Sequence, residues 1–194
     1  RELYPGVAVT TQTVRNYPGG TLAAHLLGYT GAVSADDEKA NSSLHDADVI
    51  GRTGLEEQYD SLLRGTDGTQ TVQLDPAGNV SATGRTVAPT PGDTLVTSID
   101  ANVQALAETA LTDQIAASRK AGKPATSGAV VVMDPNTGRI IAAASYPTYN
   151  PELFVGGISV ADYQKLTAPS ANDPLVGRAI AGQYAPGSTF KLIS

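Results

Sequence analysis

Near its C-terminal end this sequence carries a serine followed three residues later by a lysine, in Tyr184-Ala185-Pro186-Gly187-Ser188-Thr189-Phe190-Lys191. Pro-Gly closes an irregular stretch, and Ser188 is placed to start a helix. Residues three apart on a helix lie one above the other on the same face, so the Lys191 amine falls within reach of the Ser188 hydroxyl. A serine hydroxyl is a weak nucleophile until a base takes its proton. A lysine serves as that base only when neutral, a state favoured by burial and by the positive end of a helix dipole. The backbone N–H of Ser188, free at the helix start, can donate to the oxyanion of an attacked carbonyl. Nucleophile, base and half an oxyanion hole then share one helical turn, and the chemistry is acyl transfer. The spacing by itself does not decide the matter: S-x-x-K arises by chance about once in a chain of this length. In that case Ser188 is only an N-cap and Lys191 a surface residue.

Other chemistry-bearing residues lead to blander readings. His25 points away from the leucine face of its predicted helix and is read as a surface or packing histidine. His45 stands among Asp46 and Asp48, a weak metal set at best and more simply a solvated loop. Ser170-Ala171-Asn172, beside Pro169 and Pro174, reads as loop polar residues. Tyr146, Tyr149 and Tyr163 either line an approach to the serine or pack. The sequence has no cysteine, hence no disulfide framework, thiolate metal site or cysteine nucleophile. No metal site and no cofactor is assigned.

The elements that must position Ser188 fall into two stretches, residues 1–92 and 93–194. In the first, Val7–Val14 is rich in strand formers, and Thr21–Leu27 reads as a short helix with Leu22, Ala23, Leu26 and Leu27 on one face. Asp36-Asp37-Glu38 reads as a solvated helix start. Thr53-Gly54-Leu55-Glu56 has the form of a capping box. Leu55, Tyr59, Leu62 and Leu63 then make one helical stripe, with Gly65 at the C-cap position. Thr71–Leu74 and Val80–Thr83 flank a turn at 75–79 and predict a hairpin with alternating faces. Ala88-Pro89-Thr90-Pro91-Gly92-Asp93 reads as a linker or tight turn.

In the second stretch, Leu95–Ile99 predicts a strand and Asp100 caps a helix over 101–121. Val103, Leu106, Ala107, Ala110, Leu111 and Ile115 recur at helical spacing, and Gly122 and Pro124 end the helix. Ala129–Met133 and Ile140–Ala144 are unbroken apolar runs joined by Asp134-Pro135-Asn136-Thr137-Gly138, which is turn chemistry. A hairpin apolar on both faces must be covered on both, so an antiparallel sheet between helices is expected, with the 101–121 helix as one cover.

Composition bounds the function. The chain has 194 residues, 41% hydrophobic and 16% charged, enough apolar material for a packed core. A net charge of −6 argues against a nucleic-acid partner. No apolar run of about 18 residues exists to span a membrane, and no signal peptide opens the chain. Arg1-Glu2-Leu3 does not read as a natural start, and both ends are expected to be cut.

Several segments, in order, resemble the class B penicillin-binding proteins. Gly51-Arg52-Thr53-Gly54-Leu55-Glu56-Glu57-Gln58-Tyr59 with Leu63-Arg64-Gly65 and Asp67-Gly68 resembles their pedestal. Thr97-Ser98-Ile99-Asp100 with Gln104 resembles the entry to the transpeptidase domain. Ala129–Met133 with Asp134–Ala142 resembles its first hairpin, and Arg178-Ala179 with Tyr184–Lys191 the approach to the active serine. His25-Leu26-Leu27-Gly28-Tyr29 also fits. The resemblance implies an α+β fold. Residues 1–92 would be a pedestal, dimerisation-type domain of short strands and helices. Residues 93–194 would be the N-terminal part of a transpeptidase domain with a helix-covered antiparallel sheet.

It further implies a serine D,D-transpeptidase acting on D-Ala-D-Ala stem peptides of peptidoglycan, inhibited by β-lactams. The enzyme would be held at the extracytoplasmic face of the bacterial membrane by a segment absent here. By match of motif Ser188 is the nucleophile and Lys191 the base. The family's S-x-N and K-T-G sets, which complete the site, are absent, so the chain alone is expected to be inactive. Gly177 stands where the family often has Asn. A serine β-lactamase or β-lactam sensor shares S-x-x-K but has little use for the first ninety-odd residues. Nothing before residue 93 resembles the glycosyltransferase of a class A enzyme. The non-enzymatic alternative is a pedestal module that binds proteins of the elongation or division machinery.

Overall fold

The computed structural model describes residues 14–45, 48–76, 78, 80–185 and 187–193. Of the expected strand Val7–Val14, all but Val14 lies outside these. The expected helix over Thr21–Leu27 is present as α1 (Ala24–Leu27). Ala23 adopts a left-handed backbone, φ 55°, so the turn before it cannot join the helix. Next, β1 (Thr30–Ala32) pairs antiparallel with β2 (Val49–Gly51), Thr30 opposite Gly51. Between them lies α2 (Ala35–Ala40), with no buried residue and a capping box between Ser34 and Asp37. The acidic run is thus a solvated helix start, as expected. Asp37 also pairs with Arg52 at 2.8 Å, and that bond holds its carboxyl below the usual range.

The capping box expected at Thr53 does not form. The Thr53 side chain makes no cap bond to α3 (Gly54–Gln58), and Glu56 instead pairs with Arg15 at 2.7 Å. The reason lies in a contact with α1. Gly54 is left-handed, φ 62°, and a Cβ there would sit 2.6 Å from the Leu26 carbonyl oxygen, so the position admits only glycine. α1 and α3 meet backbone to backbone, and the helix starts from a geometry a capping box does not use. The predicted single stripe also breaks at Tyr59 (φ −116°, ψ 20°), giving a separate α4 (Asp60–Leu63). Gly65, φ 77°, ends it as expected.

The predicted hairpin is β3 (Thr69–Leu74) with β4 (Val80–Val87). Every described residue of it is exposed, so neither of its faces is covered. The 88–93 segment is tied down: Thr66 and Thr90 exchange backbone bonds of 2.9 Å, and Asp93 N–H donates to the Leu62 carbonyl at 2.8 Å.

Leu95–Ile99 is not a strand. It runs beside the later hairpin, attached through Ser98 Oγ to the Ile140 carbonyl at 2.7 Å and Asp100 N–H to that of Ile141 at 3.0 Å. Asp100 then caps α5 (Ala101–Lys120), its carboxylate accepting from Asn102 and Val103 N–H at 2.8 and 3.1 Å. Replacing Asp100 by Ala is expected to cost about 1 kcal/mol, read as a lower denaturant midpoint with unchanged slope. An unaltered midpoint would contradict this role.

The apolar runs form β5 (Gly128–Met133) and β6 (Ile140–Tyr146), paired antiparallel with Val130 opposite Ala144. Alternation sends Val130, Val132, Ala142 and Ala144 to one face, where they pack on Val103, Ala107 and Leu111 of α5. Alanines on both sides let the helix lie close to the sheet. Leu106, expected in the stripe, is 69% exposed, while Gln104 is completely buried. The opposite face takes α7 (Arg178–Ala181), whose Ala179 N–H donates to Ser145 Oγ at 2.9 Å. Val131 and Met133 on the hairpin stay about half exposed. In chain order α6 (Val160–Thr167) comes between the hairpin and α7.

A second core joins the two stretches of chain. Ala24 of α1 packs with Tyr149 and Phe154, and around them stand Tyr29, Ile158, Leu166 and Leu175. Tyr29 stacks on Phe154 at 3.7 Å. Polar bonds follow the same seam: Tyr17 N–H to Glu152 Oε1 at 2.6 Å and Tyr149 hydroxyl to the Ala24 carbonyl at 3.2 Å. The architecture is therefore mixed α+β: short antiparallel pairs, and a helix-covered hairpin leading toward Ser188.

Candidate active site

Ser188 and Lys191 lie on a 3-10 helix, Gly187–Leu192. This is tighter than the α-helix the spacing suggests, and in it residues i and i+3 eclipse one another. The two side chains therefore leave the same side of the turn. Both residues are exposed. Phe190 and Ile193 beside them are 55% and 80% exposed.

The turn is carried by α7 and the loop before it. Asn172 and Asp173 both have left-handed backbones, φ 57° and 50°. The Arg178 guanidinium fixes this loop by donating to the carbonyls of Asn172 (2.7 Å), Asp173 (2.9 Å) and Val176 (3.4 Å). Ser170-Ala171-Asn172 thus belongs to a structural loop, with Pro169–Ala171 as a 3-10 turn, as the sequence indicates. Gly177 is the residue before α7.

His25 is a packing histidine. Its Nε2 lies 2.7 Å from the Pro174 carbonyl oxygen, which can only accept, so Nε2 carries the hydrogen. Its ring meets Tyr149 edge-on at 5.2 Å, and burial holds its pKa below the ordinary value. His45 is exposed, its backbone N–H bound to Asp48 at 2.8 Å; Asp46 lies outside the described residues. Among the described residues no three His, Cys, Asp or Glu side chains gather to hold a metal. Tyr149 is core, and burial pushes its phenol up to about 12. Arg119 sits 5.9 Å from the Tyr146 ring, and Tyr163 is half exposed.

Four supporting residues have no role assigned from the sequence alone: Gln104, Glu108, Ser145 and Arg178. For Gln104 and Glu108 a signal exists, since both share a helical stripe with Ala107, Leu111 and Ile115. Gln104 exchanges bonds with Ala143, Oε1 accepting at 2.8 Å and Nε2 donating at 3.1 Å. Its Nε2 also reaches Glu108 Oε1 at 2.7 Å, which accepts from Ala23 N–H at 2.8 Å.

A 3-10 turn carrying serine and lysine thus follows a hairpin packed on a long helix, and that part of the chain is joined to a mixed N-terminal module. Residues 1–97 match the penicillin-binding protein dimerisation domain, and residues 128–194 the penicillin-binding protein transpeptidase domain. The chain belongs to the class B penicillin-binding proteins. It is 38% identical over 190 residues to the peptidoglycan D,D-transpeptidase MrdA of Acinetobacter baumannii, covering 97% of this chain and 26% of that protein. To MrdA of Escherichia coli K12 it is 36% identical, covering 97% and 29%. Among solved structures it is similar to PBP2 of Helicobacter pylori in complex with MreC, with TM-score 0.72, 34% identity and coverage of 92% and 31%. For Pseudomonas aeruginosa PBP2 in complex with WCK 5153 the TM-score is 0.65, the identity 34% and the coverage 95% and 34%. The chain spans between 26% and 34% of the length of these relatives.

Proposed function

We propose that this chain is the pedestal and the opening part of the catalytic domain of a longer peptidoglycan D,D-transpeptidase, with Ser188 as nucleophile and Lys191 as general base. The observation that carries this reading is the serine–lysine turn, inside the stretch that matches a transpeptidase domain. In this reading Ser188 Oγ attacks the penultimate D-Ala carbonyl of a stem peptide as Lys191 takes its proton. The tetrahedral oxyanion receives the Ser188 N–H, the terminal D-Ala leaves with a proton, and an acyl-enzyme remains. The amine of a second peptide then displaces Ser188 and forms the cross-link. A β-lactam acylates the same oxygen, and its opened ring stays attached. The S-x-N and K-T-G groups lie in the rest of the longer protein, so these 194 residues do not catalyse alone. The exposed Phe190 and Ile193 suit a turn that further chain covers. No described helix is long and apolar enough to cross a membrane, and anchoring at the extracytoplasmic face falls to a segment beyond this sequence.

The test is labelling of the longer protein with a fluorescent penicillin, followed by intact mass. One adduct that disappears in Ser188→Ala is expected. A folded protein that never labels would overturn the transpeptidase reading. A second role is supported separately: H. pylori PBP2 is solved in complex with MreC, and the β3–β4 hairpin here is exposed on both faces. Residues 1–92 then also bind a cell-wall synthesis partner through this hairpin, and replacing residues 69–87 by a short loop is expected to remove that binding while acylation survives.

A further inference from the structure

We infer that His25 is a positioning residue for the acylation of Ser188, acting through the Pro174 carbonyl and the Arg178-bound loop; this rests on the transpeptidase reading above. The loop at 172–176 precedes α7 and the serine turn, and its carbonyls are gripped from two directions. Arg178, on its C-terminal side, takes those of Asn172, Asp173 and Val176. The carbonyl between them, Pro174, is taken by His25 Nε2 at 2.7 Å, from a residue 149 positions away in the first stretch of chain. Between these two carbonyl contacts, Leu175 packs on the Ala24–Tyr149–Phe154 cluster.

His25 is itself held. Its ring stands edge-on to Tyr149, and the Tyr149 hydroxyl bonds the Ala24 carbonyl one residue before it. α1 cannot slide, because Ala23 N–H is bound to Glu108 of α5. Downstream, Ala179 N–H is fixed on Ser145 of β6, and the chain passes from α7 to Ser188 in a few residues. A bonded path therefore runs from α1 through the loop to α7, the element from which the chain continues to Ser188. A reacting atom misplaced by about 1 Å can cost roughly a hundredfold in rate, so a support that fixes the approach to Ser188 shows in the chemical step. Removing the donor while keeping a ring leaves the Pro174 carbonyl unbound and frees the loop on one side.

The experiment compares wild type, His25→Phe and His25→Gln in the longer protein. The acylation rate constant and the prior non-covalent affinity for a fluorescent penicillin are measured separately, and active sites are counted by intact mass. His25→Phe keeps an aromatic ring and loses the donor. Its acylation step is expected to slow at least tenfold per active site, with affinity changed less than threefold. His25→Gln places an amide N–H near the Nε2 position and is expected to restore most of the rate. A purely structural role would lower the number of active sites and leave the rate per site unchanged. That result, or Gln as slow as Phe, overturns the inference. If His25→Phe does not fold, His25→Leu makes the same comparison with Gln. Wild type that never labels overturns the transpeptidase reading and this inference with it; wild type that labels beside an equally fast His25→Phe overturns the inference alone.

Discussion

Lys191→Ala is expected to slow acylation of Ser188 by a β-lactam about 100- to 10,000-fold, the range that a positioned general base contributes. The geometry argues for a large effect. Lys191 leaves the same side of a 3-10 turn as Ser188, where three-residue spacing eclipses the side chains. Lys191→Arg separates base from charge. Arginine preserves the cation and stays protonated in proteins, so it can orient a hydroxyl or attract a carboxylate but cannot accept the proton. If Lys191 is the base, Arg and Ala are both slow. If it acts only through its charge, Arg retains most of the rate, and the assignment of Lys191 as base falls. Rapid-mixing fluorescence with a labelled penicillin on the longer protein gives both rate constants, and a Ser188→Ala blank sets the floor.

The parts of the fold that could be read in advance are those whose signal is local. Asp100 and the 101–121 helix, the Asp134–Gly138 turn and the hairpin around it all form where expected, since each depends on residues a few positions apart. The failures each have a non-local cause. Thr53 and Glu56 carry the letters of a capping box, but the helix start is left-handed at Gly54 where the Leu26 backbone of a different helix comes close. Glu56 then finds Arg15, 41 positions away. Leu95–Ile99 has strand-forming residues, yet a strand exists only where a partner offers a ladder. The β6 edge it runs beside gives it two bonds and is otherwise occupied by the Gln104 side chain.

The site shows the same division. Ser188 and Lys191 announce themselves by spacing and by their resemblance to a family motif. His25, by contrast, falls in a family-like segment but shows no sign of its contact, because its acceptor lies 149 residues downstream. Arg178 is visible as part of a motif, but its three carbonyl partners lie in a loop with left-handed backbones at Asn172 and Asp173, a conformation these two residue types tolerate but that their presence alone does not dictate.

The largest stability effect is expected from Gln104→Leu, a substitution of similar size and greater hydrophobicity. Antiparallel pairing turns alternate N–H and C=O groups of β6 away from β5, and those of Ala143 point to the free edge. In place of a third strand, the Gln104 amide binds both, accepting from Ala143 N–H and donating to its carbonyl. A side chain thus stands in for a peptide group, and does so with no solvent exposure. Leucine would fill the space and leave a donor and an acceptor buried without partners. At about 1–3 kcal/mol per unsatisfied group the loss is roughly 2–4 kcal/mol net of the added apolar surface. In a protein of this size that corresponds to a fall in Tm of about 4–16 °C. Gln104→Glu separates the two bonds: its carboxylate can still accept from Ala143 N–H but cannot donate to the carbonyl, and it sets a second carboxylate beside Glu108. Glu is therefore also expected to destabilise at neutral pH, and to recover part of the loss on acidification, as a protonated carboxyl donates where the amide did. If leucine melted at the wild-type temperature, the β6 edge would have to be satisfied by something other than Gln104, and α5 would be held to the sheet by its alanine packing alone.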